Sequence, residues 1–210
     1  MPTSDAAHEA AYRAAIRDFV DCHVPARGTL GVVQAYRAVQ AFPYRSVADR
    51  RPLTALRNKE GACTAKHMVL RDVLRAIGET AVVEIVEGDF ASGLPVHDSM
   101  SPALQAMIRE GGVTDMHCRV RLGDPQAGSV RHLDATFPPA LVRFGFTVDR
   151  DWWGDGDTAQ AIPKVTVRSQ DEDVLAEKER LLSYLDEDTT ARRKEFLRLL
   201  TEWLASVDMH

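Results

Sequence analysis

Gly61-Ala62-Cys63-Thr64-Ala65-Lys66-His67-Met68-Val69-Leu70, running on to Ile77 and closed by Gly78, is the stretch on which the reading of this chain turns. Ala, Met, Val and Leu dominate it, as in a buried helix, and Gly78 suits the residue just past a helix end. A cysteine therefore stands at the first turn of an apolar helix, directly after Gly61-Ala62. A thiol placed there has its pKa lowered by the helix dipole. The same helix end offers backbone N–H groups to a developing oxyanion, and the glycine admits another backbone or a substrate.

Upstream, residues 4–22 carry Ala11, Tyr12, Ala15, Ile16, Phe19 and Val20 at helical spacing. Thr29 can cap a second helix through Gln40, with Val32, Val33, Tyr36 and Val39 inward. Tyr44 to Glu60 is polar and irregular around Pro52, which predicts surface loop with a short helical turn. Downstream, residues 81–87 predict a strand, and Ser101-Pro102 opens a helix to Glu110. Met116–Leu122 and Val130–Thr136 alternate on either side of Gly123-Asp124-Pro125 and predict a hairpin. Residues 144–148 and 164–168 are weaker strand candidates, separated by the turn-rich loop Asp151–Asp157. From Asp171 the chain predicts two helices broken near Asp188. Helices, then strands, then helices imply an α+β fold. The expected division is a catalytic domain over 1–168 with a helical appendage, 169–210, packed on it.

The 210 residues suffice to bury a core without disulfide staples. A net charge of −5 argues against a polyanionic partner, so neither nucleic acid nor an anionic membrane is expected. No run approaches a membrane span and the first twenty residues lack a signal peptide's apolar core, so a cytoplasmic protein is expected. Cys22, Cys63 and Cys118 are an odd number, which fits reduced thiols.

A thiolate needs a base, and the base needs an orienting partner. His117 lies in the first strand of the hairpin and Asp134 in the returning one, where a cross-strand neighbour can reach the imidazole. Nucleophile on a helix tip, base and orienter on adjacent strands, is a construction suited to acyl transfer.

These residues resemble the transglutaminase-like superfamily, which shares the papain-like order Cys, His, Asp. Glu60–Gly78 resembles the helix that carries that family's cysteine, and Asp115–Phe137 its His-Asp hairpin. Gly61-x-Cys63-Thr64-x-Lys66-His67 with His117-Cys118 resembles a bacterial branch. The resemblance covers under a third of the chain, and His117-Cys118-Arg119 departs from the His-Ala-Trp of many members. It implies a transglutaminase-like fold with the Cys helix packed on an antiparallel sheet. It also implies amide chemistry on a small-molecule or peptide substrate: hydrolysis, or transfer of an acyl group from thioester to amine. No cofactor is required, since three side chains carry the reaction.

Other residues carry weaker expectations. Tyr44, His67 and Trp152 are candidates for oxyanion or substrate contact. Lys66 reads as an exposed helix lysine, and Cys118, which alternation turns away from His117, as core. The rival readings are a non-catalytic module on the same fold and a zinc protein using Cys63 and His67. The apolar faces of the last two helices predict packing on the domain or a homodimer interface.

Overall fold

The computed structural model describes residues 4–46 and 48–207. The first three residues of the expected 1–168 unit, Val47, and the last three of the chain lie outside that set. The architecture is α+β around a four-stranded antiparallel sheet.

Helices α1 (Ser4–His23), α2 (Gly28–Gln40) and α3 (Pro52–Asn58) surround α4 (Cys63–Ala76). Eleven of the fourteen residues of α4 are buried, so this helix is core on nearly every side. Its inner face meets the sheet through Val69, Val73, Val120 and Leu122, while Val32, Tyr36, Leu56 and Phe19 close over the other side. Thr29 does not cap α2: Arg27 holds the N-cap position without a side-chain bond. The short helical turn expected around Pro52 is a two-turn helix, with proline in the first turn, where its missing N–H is harmless.

The strands are β1 (Ala81–Asp89), β2 (Thr114–Leu122), β3 (Arg131–Leu133) and β4 (Val165–Ser169), in the order β3-β2-β1-β4. Helix α5 (Pro102–Glu110) precedes β2, and the Ser101 hydroxyl caps it by accepting from the Leu104 N–H. β3 is shorter than the alternation of 130–136 suggests. It pairs only with Val120–Leu122, so Asp134 lies past its end, and residues 114–119 of β2 have no strand on that side. The expected strand at 144–148 does not form. Pro139–Phe144 is a 3-10 helix, and Phe144 and Phe146 alternate because they pack on Trp203 and Phe137, with no ladder partner.

Helices α6 (Val174–Leu182) and α7 (Glu187–Ser206) are N-capped by Asp173 and Asp186. Val174 and Leu181 join Cys63, Val83, Ile85, Met116 and Cys118 in one apolar cluster. Phe196, Leu200 and Trp203 join Phe90, Leu104 and Phe146 in another. The apolar faces expected either to pack inward or to form a dimer interface are thus covered by the chain itself. Among the described residues no helix is long and apolar enough to cross a membrane.

Candidate active site

Cys63 is the first residue of α4, and the segment before it is fixed by backbone bonds. Gly61 donates its N–H to the Pro43 carbonyl and accepts from the Arg45 N–H, forming a bridge with Tyr44. A Cβ at Gly61 would stand 3.2 Å from the Ala55 Cβ, so the glycine serves this close approach. No side chain caps the helix end, and the first intrahelical bond is Lys66 N–H to Ala62 C=O. The N–H groups of the first turn therefore remain as donors next to the sulfur.

Cys63 meets β2 at its unpaired edge. Asp115 and His117 point to one face of that strand and Cys118 to the other, yet Cys63 reaches both. Its Sγ, a carboxylate oxygen of Asp115 and a ring nitrogen of His117 lie within 4.8 Å of one another. Its sulfur and that of Cys118 share the Thr64 hydroxyl and the Lys178 ammonium as neighbours. Strand alternation was a sound guide to where Cys118 points, but not to what it touches.

His117 bridges Cys63 and Asp134. Its Nε2 lies 2.9 Å from Asp134 Oδ2, and its Nδ1 is buried without a hydrogen-bond partner. Asp134 is held by three further bonds: Oδ2 accepts from the Ala161 N–H, Oδ1 accepts from the Thr136 N–H, and its own N–H donates to Thr158 Oγ1. That fixation replaces the strand pairing Asp134 lacks.

The charges follow from this geometry. The hydrogen bond from Cys118 lowers the Cys63 pKa well below that of an ordinary thiol; burial opposes this, and Lys178 and His117 reinforce it. Burial alone would lower the His117 pKa, but Asp134 and Cys63 outweigh it and raise it from 6.5 to about 10. Burial likewise works against the Asp134 carboxylate, and His117 holds its pKa well below the ordinary value. Both shifts favour the pair as Cys63 thiolate and His117 imidazolium over the neutral pair.

His67 does not line the site as a free group. Its Nε2 accepts from the Ala135 N–H at 2.8 Å, which requires Nδ1 to carry the proton and donate to the Cys63 carbonyl at 2.7 Å. Both ring nitrogens are occupied, and the ring ties the first turn of α4 to the residue after Asp134. This removes it as a zinc ligand. Tyr44 is buried; its ring packs on Phe90 and Phe137, and burial, then the charges of Cys63 and Asp115, raise its pKa well above 10. Trp152 is buried in the cluster around Tyr36. It packs edge-on against Tyr36 at 5.1 Å, and its indole N–H donates to Asp155 C=O.

Two lysines carry more than their sequence context suggested. Lys66 is wholly buried, and its ammonium donates to the carbonyls of Gln40, Phe42 and Thr136. Burial pulls its pKa down to about 7. Lys178, from α6, is 3% exposed and reaches Cys63 Sγ at 3.5 Å, Thr64 Oγ1 at 2.9 Å and Cys118 Sγ at 3.9 Å. A signal for it exists in the sequence: Val174, Lys178 and Leu181 share one helix face at i, i+4, i+7. Arg193 of α7 pairs with the buried Asp115.

Comparison with protein-family models, curated proteins and solved structures found no match to this chain.

Proposed function

We propose that the protein is a cysteine-dependent acyl-transfer enzyme of transglutaminase-like character, with Cys63 as nucleophile, His117 as proton carrier and Asp134 as the group that orients His117. The observation that carries the proposal is the position of His117, with Nε2 on Asp134 and an unpartnered Nδ1 on the side left for Cys63. The placement of Cys63 on a helix tip, His117 on β2 and Asp134 just past β3 supports the transglutaminase-like reading of the fold.

In the reaction, the Cys63 thiolate attacks an amide or thioester carbonyl carbon and an S–C bond forms. The oxyanion meets the first-turn N–H groups of α4 and the Lys178 ammonium. His117 gives its proton to the leaving amine or thiol as the C–N or C–S bond breaks. His117 then takes a proton from water or an amine, which attacks the enzyme thioester and releases the Cys63 thiolate. Asp134 stabilises the imidazolium throughout.

The test is intact-mass screening of wild type and Cys63→Ala against peptides and acyl thioesters. An adduct of the acyl mass in wild type alone, discharged by hydroxylamine, is the expected result. Equal behaviour of both proteins across the panel would count against the proposal, as it would fit a non-catalytic module.

A second reading has one observation in its favour. The convergence of Cys63, Asp115 and His117 fits three ligands of a thiophilic divalent cation. The Lys178 ammonium 3.5 Å from the sulfur and the Arg193 pair on Asp115 weigh against it. Near-stoichiometric zinc by elemental analysis of purified protein would favour it.

A further inference from the structure

A cavity of about 300 Å³ lies beside the candidate nucleophile, lined by Ala48, Arg50, Thr64, Leu175, Lys178, Glu179 and Leu182. Two of these residues touch the sulfur of Cys63: Lys178 Nζ at 3.5 Å and Thr64 Oγ1 at 3.9 Å. The cavity thus ends on the two side chains that contact the reacting atom. Its size is at the lower limit for small-ligand sites, which restricts an occupant to a short chain. Leu175 and Leu182, both half-buried, give it apolar walls.

Arg50 is the feature that selects a ligand class. Its neighbours Arg45 and Arg51 are paired with Glu60 and Asp49. Arg50 is half-buried, and among the described residues no ion pair or hydrogen bond to it is formed. A guanidinium partly withdrawn from water with no anion beside it is a carboxylate-binding group awaiting its partner. Glu179 is the single carboxylate of the lining and is exposed. The hydroxyl of Tyr44 feels the charges of both Cys63 and Arg50, so the two ends belong to one electrostatic neighbourhood.

We propose that this cavity is the acyl channel and that it takes a short acyl donor bearing a carboxylate, held by Arg50 while the reacting carbonyl lies against Cys63. The inference rests on the reading of Cys63 as nucleophile.

Iodoacetate and iodoacetamide test it, because they alkylate sulfur alike, with loss of iodide, and differ in carrying a carboxylate or a neutral amide. Second-order rates at Cys63 are measured at pH 7 by peptide mass mapping, with exposed Cys22 as internal reference. Lys178 and His117 favour the anionic reagent in any case, so Arg50→Gln supplies the decisive comparison. The expected result is a fall of roughly fivefold or more in the iodoacetate-to-iodoacetamide ratio at Cys63, with the iodoacetamide rate within about twofold of wild type. An unchanged ratio in Arg50→Gln overturns the carboxylate proposal and leaves the nucleophile reading intact. Iodoacetamide labelling of Cys63 no faster than Cys22 overturns the nucleophile reading, and the channel with it.

Discussion

The Lys178 ammonium lies 3.5 Å from the sulfur of Cys63, and both residues are 3% exposed. An ion pair so placed favours thiolate over thiol, because the same burial that penalises each charge alone strengthens their attraction. Lys178→Met removes the cation and keeps the apolar stem. The Cys63 pKa should rise, so the acid limb of its labelling profile with iodoacetamide should move to higher pH and the rate below neutral pH should fall. Lys178→Arg should restore part of the rate. Identical rates for wild type and Lys178→Met would show that the contact has no effect on the thiol.

The pH dependence of labelling follows from two opposite shifts. The Cys63 pKa is lowered and that of His117 is raised to about 10. Labelling of wild-type Cys63 should be level from neutral pH to about 10 and fall only on the acid side. In His117→Ala the thiolate loses its imidazolium, and the rate should climb with pH toward that of an ordinary thiol. The raised His117 pKa also contributes stability that is fully present below about 6.5 and lost as pH rises through about 10. A wild-type profile rising steadily with pH would contradict the ion pair.

Asp134 accepts from His117, Thr136 and Ala161 at once, and an asparagine cannot satisfy all three donors. Asp134→Asn should destabilise the fold by about 3–5 kcal/mol, the usual cost of breaking a buried pair. Urea unfolding measures this. The pKa of His117 should fall in the same variant, as read by NMR titration. A loss under about 1 kcal/mol would mean the network relaxes around the change.

Much of the fold could be read locally. The Cys63 helix, the Ser101 cap and the β2 alternation are set by side chains within one turn or one pleat. Cys63, His117 and Asp134 could be named because their chemistry and order are visible in the chain. What escaped depends on tertiary placement. Lys66 and Lys178 are lysines by composition, and only the loop carbonyls and the buried sulfur give them partners. Asp134 reads as a strand residue, but its position comes from Thr158 and Ala161, about twenty-five residues away in sequence. Trp152 stands in a Gly/Asp loop that looks surface-bound, and the cluster around Tyr36 draws it in.

Lys66 and His67 should prove structural. Lys66→Met leaves the carbonyls of Gln40, Phe42 and Thr136 without a buried donor, and His67→Leu orphans the Ala135 N–H and removes the side-chain donor to the Cys63 carbonyl. Each variant should lose about 2–5 kcal/mol in denaturant unfolding, at roughly 1–3 kcal/mol per unsatisfied group. A stability equal to wild type in either would remove the positioning role assigned to it.

Limiting iodoacetamide at pH 7, followed by peptide mapping, tests the identity of the nucleophile most directly, because accessibility and activation favour different cysteines. Cys22 is exposed, whereas Cys63 is only 3% exposed. An activated thiolate predicts that the first equivalent goes to Cys63 despite its burial, and that His117→Ala diverts it to Cys22. Label on Cys22 with Cys63 untouched in the wild type would contradict the account.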